Sequence, residues 1–312
     1  MSFKQVMEVY ELLDSAKVDG QQVASMLESA GLQQVKVTRM QGAKGYTDFV
    51  QVSIPGAHGK SSGGSAPTLG IIGRLGGIGA RPTRIGLVSD GDGAIVALAS
   101  ALKAAKMQQQ GDTLPGDLII GTHICPTAPT IPHEPVPFMG APVDMQTMNR
   151  MEIHPEMDAI LSVDTTKGNR IVNFKGVTIT PTVKAGYILP VSEDLIDLLQ
   201  IATGRLANVL PLSTYDITPY GNELQHVNSI LQPATATMAP VVGVAITAEI
   251  PVPGCATGAS HLPDLDAATR FCLEVAKAFG SGLCRFYDPE QFGHAEQLYG
   301  EMTNLQTMGK TK

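Results

Sequence analysis

Val6, Val9, Tyr10 and Leu13 stand at i, i+3, i+4 and i+7, a spacing that predicts an amphipathic helix over 4–14. A second helix is expected over about 20–30, after Asp19-Gly20. Residues 34–39 and 46–54 read as strands, and the Gly/Ser-rich segment 56–65 as a surface loop in which His58 is solvated. From residue 68 the rhythm changes. Short apolar runs at 68–73, 85–89, 117–122, 158–163 and 241–248 have the character of strands buried on both faces. Helical spacings separate several of them. Ile95, Leu98, Ala99 and Leu102 mark a helix over 93–109. Leu195, Leu198, Leu199 and Ala202 mark another over 192–207, with Ser192 as its N-cap and two acids in its first turn. Leu224, Val227 and Leu231 suit a helix near 221–232. Ala268, Phe271, Cys272, Val275 and Phe279 define a long helix after Pro263, with Gly280 expected in the residue just past its end.

Strands alternating with helices of this length predict an α/β fold: a mixed, mainly parallel central sheet covered by helices on both faces, in three layers. The expected organisation is one domain over 1–282 and a more polar tail over 283–312, in which 284–287 is left unassigned. The proline-rich stretch 126–142 has no periodicity and reads as a long irregular excursion of the kind that covers a site.

Composition narrows the class. Of 312 residues, 43% are hydrophobic and only 16% charged, so the chain is globular and its thinly charged surface points to a homo-oligomer. A net charge of −7 without any Lys/Arg stripe argues against nucleic acid as a partner. The N-terminal residues carry no leader-like apolar region, and the longest apolar run, near 239–248, is too short for a span, so the expectation is a cytoplasmic protein away from the membrane. Cys125, Cys255, Cys272 and Cys284 include no CxxC pair and read as thiols. The complete Gly-x4-Gly-Lys-Ser/Thr loop and a GxGxxG fingerprint are both lacking, which removes the common phosphate-binding loops.

In open α/β sheets, ligands gather beyond the carboxyl ends of the strands. Asp90, His123, Asp164 and His261 fall there in the predicted layout, and two carboxylates with two imidazoles form a set that zinc, manganese or cobalt accepts. Each has a plainer reading. Asp90 and Asp92 suit a helix cap, Asp164 a turn, His123 a buried hydrogen-bonded imidazole and His261 a residue ahead of a helix. Cysteine chemistry is a second enzymatic reading, because Cys125 ends the same strand as His123 and Cys255 lies six positions before His261.

Three segments carry a resemblance. Asp90-Gly91-Asp92-Gly93-Ala94-Ile95-Val96-Ala97-Leu98, Asp158-Ala159-Ile160-Leu161-Ser162-Val163-Asp164-Thr165-Thr166 and Ala259-Ser260-His261-Leu262-Pro263-Asp264-Leu265-Asp266 are similar, in order, to the metal motifs of the co-catalytic zinc aminopeptidase (zinc exopeptidase) superfamily. The chain resembles more closely an uncharacterised family of unknown function that is similar to a divergent branch of that superfamily. The resemblance implies a metal-dependent hydrolase acting on a peptide or small amide. Asp90, Asp164 and His261 would be ligands to a divalent ion, zinc first and manganese or cobalt as alternatives. His123 would be a further ligand or the proton-transfer group, with Cys125 beside it. Arg74 stands where the superfamily has a histidine ligand, and Thr122-His123-Ile124-Cys125 stands where it has its glutamate pair. Arg74 is therefore expected to hold a substrate carboxylate. The same departures leave open a ligand-binding or regulatory protein on a peptidase-like scaffold that has lost its catalysts.

Overall fold

Val6, Val9 and Leu13 are buried along one side of the first helix, α1 (Phe3–Leu13). The computed structural model describes residues 1–74, 76–134, 136–211 and 229–306. Asp19 accepts a hydrogen bond from the Gln22 N–H and starts α2 (Gly20–Ser29). A hairpin follows, β1 (Gln34–Gly42) and β2 (Gly45–Ile54), paired antiparallel, with Gly45 at φ +123° where the chain reverses.

The alternating part begins with β3 (Leu69–Gly73), α3 (Asp92–Gln109) and β4 (Leu118–Ile124). A two-rung ladder, β5 (Thr130–Ile131) with β6 (Phe138–Met139), lies in the proline-rich excursion, and α4 (Met145–Glu152) follows it. Next come β7 (Ala159–Lys167), β8 (Gly176–Ile179), β9 (Thr182–Lys184), β10 (Tyr187–Leu189), α5 (Glu193–Thr203) and β11 (Val241–Ala248). The last elements are α6 (Leu262–Gly280) and α7 (Pro289–Tyr299).

The central sheet is mixed, in the order β1-β2-β4-β3-β7-β11-β9-β10, with β8 also paired to β11. Its middle, β4-β3-β7-β11, is parallel, and antiparallel strands flank it on both sides. Strand alternation divides the core. Leu69, Ile71, Leu118, Ile120, Leu161, Val163 and Val244 pack under α1, α2, α3, α5 and α6. Ile72, Ile119, Ile160, Val241 and Ala245 face the other way, toward Met157, Ile230 and Leu231. That second face is covered by α4 and by a 3-10 turn over Ser229–Thr235. Helices thus lie on both sides of the sheet, as expected of strands apolar throughout.

Several boundaries differ from the sequence reading. Residues 85–89 form no ladder strand. Ile85 is 88% exposed, Gly86 has φ +107°, and the backbone N–H groups of Leu87, Ser89 and Asp90 bond to Asp14 Oδ1, Ala256 O and Gly254 O respectively, which holds the segment as a loop. Only Val88 makes an isolated bridge, to Thr257. The helix over 192–207 stops at Thr203 because Gly204 adopts φ +67°. Gly280 is the last residue of α6, and the left-handed position belongs to Gly282. Of the helix expected near 221–232, residues 221–228 lie outside the described residues, and 229–232 belong to the 3-10 turn. The segment after 283 includes the helix α7, and Phe286 and Cys284 are buried against the main core. The Thr182 hydroxyl donates to Phe286 O at 2.6 Å, and the Ser192 hydroxyl to Arg285 O at 2.5 Å.

Two carboxylates fasten the periphery. Ser2, itself buried, donates from its N–H (3.1 Å) and hydroxyl (2.6 Å) to Asp266 Oδ1 on α6, joining the first residues of the chain to the last long helix. Asp48 on β2 accepts from Arg39 Nε at 2.6 Å, Arg39 Nη2 at 2.8 Å and the Gly20 N–H at 2.9 Å. Burial pushes the Asp48 carboxyl up, but the Arg39 fork and the Gly20 N–H outweigh it and hold it below the usual carboxylate range. Asp117 is held low in the same way, burial being outweighed by bonds from Gly56 and Ser61.

For such depressed groups the stabilisation is complete above the unfolded carboxylate pKa, about 3.9, and is lost as acid titrates the folded pair. Melting temperature is expected to fall between pH 4 and pH 2, and an Asp48→Asn variant, less stable at pH 6, should show a shallower fall. A parallel acid limb in the two proteins would remove Asp48 as a contributor.

Candidate functional site

The site forms where the parallel strands end. Gly73 on β3 is in register with Thr122 on β4 and with Val163 on β7, and the Arg74 N–H continues the ladder to Val163 O at 2.7 Å. Arg74 therefore lies between His123 and Asp164, and Asp164 is itself opposite Ala245 of β11. Alternation puts all three on the face carrying Ile72, Ile119 and Ile160, beneath α4 and the Ser229–Thr235 turn. The result is a polar row sealed inside the protein: Arg74 is 0% exposed, His123 2% and Asp164 4%.

Helix α4 supplies what such a row requires. Its N-cap, Asp144, accepts from the Thr147 N–H and hydroxyl. Its last residue, Glu152, is buried between the imidazole and the guanidinium. Glu152 Oε1 is 2.8 Å from His123 Nδ1, and Oε2 is 3.4 Å from Arg74 Nη1. A carboxylate only accepts, so the imidazole donates from Nδ1, which leaves Nε2 as the ring nitrogen able to accept a proton. Arg74 also donates to Asn149 Oδ1 at 2.5 Å and lies against the Met145 sulfur. Asn149 donates to the Thr235 hydroxyl at 3.3 Å, which ties α4 to the 3-10 turn. At the far end of the row Asp164 Oδ1 accepts from the Thr165 N–H at 2.7 Å, and Oδ2 from the Ser229 hydroxyl at 3.3 Å.

A second charged cluster lies across the sheet, at the start of α3. Asp92 is fully buried, 3.0 Å from Lys167 Nζ, and accepts from the Ser260 hydroxyl. Lys167 extends from β7 on the face opposite Asp164. Burial pushes the Asp92 carboxyl up, against the pull of Lys167, Ser260 and the neighbouring His261. Asp90 is placed differently: its N–H bonds to Gly254 O at 3.1 Å, and its carboxyl lies over Gly254 so closely that a Cβ there would be 2.5 Å from Oδ1. The Thr165 hydroxyl donates to Ser89 O at 2.7 Å and joins the Asp90 loop to β7.

The structure thus gathers His123, Arg74 and Asp164 into one row and sets His261 beside Asp92 and Lys167. Arg74 is enclosed and held on Glu152, not presented to an open cleft. Cys125 belongs to a separate apolar cluster with Ala80, Val88, Ala128, Met139 and Cys255, where burial pushes its thiol up, away from the thiolate a nucleophile needs. The groups that sequence reasoning missed are Glu152, Asn149, Lys167 and Ser260. The Asp144-x-x-Thr147 cap pattern could have revealed α4; nothing local marks Glu152 as a partner of residues 29 and 78 positions earlier.

The fit of a divalent ion can be tested on these pairings. Glu152 has the Arg74 guanidinium 3.4 Å away, although its Oε2 is buried without a hydrogen-bond partner, and Asp92 is bonded by Lys167 and Ser260. Among the described residues, no group of three or more His, Cys, Asp and Glu is arranged to hold a metal. The donor set on the page does not fit a resident cation pair.

Glu152→Gln is expected to destabilise the fold by about 3–5 kcal/mol, because it strands a buried guanidinium. The double variant Arg74→Met/Glu152→Leu should lose less than Glu152→Gln alone, as read by urea unfolding. Equal or greater loss in the double variant would mean that the site depends on packing and not on charge.

Comparison with known proteins places the fold. The bottromycin maturation enzyme BotP, solved in complex with Mn, superposes with a TM-score of 0.56 at 12% identity, covering 90% of this chain and 71% of that one. An M17 aminopeptidase from Trypanosoma brucei gives 0.50 at 10% identity, covering 86% of this chain and 61% of that one. At these identities the likeness is one of fold, the aminopeptidase-like α/β architecture. No curated protein matches by sequence. The model of a family described as proteins of unknown function (DUF1177) matches residues 38–309, and the chain belongs to that family.

Proposed function

We propose that this chain is a ligand-binding or regulatory protein on an aminopeptidase-like scaffold, taking a small peptide- or amide-type ligand at the carboxyl ends of its parallel strands. The observation that carries this reading is that two of the buried carboxylates each have a cation of the chain beside them: Arg74 by Glu152 and Lys167 by Asp92. A cation attracted to either carboxylate must compete with a charge of the chain already beside it, bonded at Asp92 and 3.4 Å away at Glu152. The surrounding groups suit recognition. His123 is held by Glu152, and the buried row continues through Asp164 and Ser229, so the strand ends that a ligand would meet are braced from inside before it arrives. The likeness to a maturation enzyme and an M17 aminopeptidase supports a peptide-type ligand.

Metal-dependent hydrolysis of a peptide or small amide is the second reading. It is favoured by Asp90 and Asp164, two carboxylates at the ends of the strand layer, joined by the Thr165–Ser89 bond. No helix among the described residues is long and apolar enough to cross a membrane. We place the protein in the cytoplasm as a homo-oligomer, a reading supported by exposed Ile201, Leu206 and Ile250 on a chain of low charge.

Metal content measured by plasma mass spectrometry separates the two readings. Protein purified without chelator and incubated with excess zinc, manganese or cobalt is expected to retain well under one ion per chain after desalting, and to leave aminoacyl amides intact. Stoichiometric metal that disappears in Asp164→Ala, accompanied by amide hydrolysis, would overturn the binding reading in favour of the hydrolase.

A further inference from the structure

A cleft of about 640 Å³ opens on the opposite edge of the sheet, at the amino ends of β7 and β11, between α4, β9 and the segment before α7. Two cations line it, Arg150 from α4 and Lys184 from β9. Neither forms an ion pair with a carboxylate among the described residues, on a chain whose net charge is −7. The one carboxylate in the wall, Asp158, is committed elsewhere: both its oxygens accept from Lys60, at 2.7 and 2.6 Å, and Oδ2 also accepts from the Thr68 N–H at 2.8 Å.

Lys184 is the unusual member of the pair. Its ammonium lies 5.2 Å from the Tyr287 ring centroid and 5.0 Å from that of Phe292, and its hydrogen bond goes to a neutral acceptor, Met238 O, at 2.9 Å. Burial lowers its pKa, with Glu296 opposing. A partly desolvated cation held by rings and a carbonyl gains more from an arriving anion than a solvated one does. Apart from Thr237 the remaining side chains of the wall are largely apolar, Ile153, Met157 and Tyr287 among them.

We propose that this cleft binds a small organic carboxylate with an apolar body, the carboxylate bridging Lys184 and Arg150 and the body lying against Ile153, Met157 and Tyr287. Arg150 supplies a planar fork suited to a carboxylate, and Lys184 a point charge already fixed in place. The proposal stands apart from the reading of the carboxyl-edge site, because Arg150 and Lys184 have no part in the His123–Arg74–Asp164 row.

Benzoate and benzamide are the probes, isosteric but differing in charge, titrated calorimetrically into the full chain at low salt. Benzoate is expected to bind saturably and benzamide at least about tenfold more weakly. Arg150→Ala, at an exposed position, and Lys184→Met, which keeps the aliphatic stem between the rings, are each expected to weaken benzoate about tenfold, while Lys184→Arg retains most of the affinity. Thermal melts establish that each variant is folded. Benzamide binding as tightly as benzoate, benzoate affinity unchanged in both charge-removing variants, or no saturable benzoate binding to the wild-type protein would each overturn the proposal.

Discussion

A charge inside a parallel sheet has no water to answer it, and the central strands of this protein end in charges. Arg74 follows β3 at a position flanked by its neighbours β4 and β7, so its guanidinium must find an acceptor within the protein. Asn149 on α4 is that acceptor and Glu152 at the end of the same helix is the counter-charge, 3.4 Å away, and the requirement fixes much else. It sets where α4 stops, brings His123 into one tautomer, and through Asn149 and Thr235 draws the 3-10 turn down over the second face. Lys167 imposes the same requirement on the first face and is answered by Asp92 in the opening turn of α3. Both layers of helices are thereby tied to the strand ends by charge as well as by apolar packing.

This arrangement bears on how a peptidase-like architecture can be reused. The superfamily resemblance carries an expectation of carboxylates waiting for cations. Here two of the carboxylates already have cations, contributed by side chains of neighbouring strands. The fold is that of the aminopeptidase-like proteins, and at Glu152 and Asp92 a side-chain cation stands beside the carboxylate.

Much of the scaffold was legible in the sequence for a simple reason: period. The spacing of Val6, Val9 and Leu13, of Ile95, Leu98 and Leu102, and of Phe271, Cys272 and Val275 has one structural solution each, and the fully apolar runs of β3, β4, β7 and β11 have another. Residues 85–89 misled because Leu87 and Val88 are buried like strand residues, although their segment bonds to loops and not to a ladder. The short strands β8 to β10 and the helix α4 carry too few residues for periodicity to register. At the site, Arg74, His123, Asp90 and Asp164 were visible as polar residues following apolar runs. Their partners were not, since Glu152 and Lys167 meet them only through strand order and face, quantities that a linear pattern does not contain.

The bond from Ser2 to Asp266 spans 264 positions of the chain. Helix α1 therefore leaves the ribosome well before α6, against which it packs. Until α6 is made Val6, Val9 and Leu13 lack its cover, and the central strands likewise wait for partners far along the sequence, β3 for β7 and β7 for β11. Such an order of closure makes for slow folding with a prolonged interval of exposed apolar surface, a condition in which holding chaperones bind and in which truncated chains aggregate.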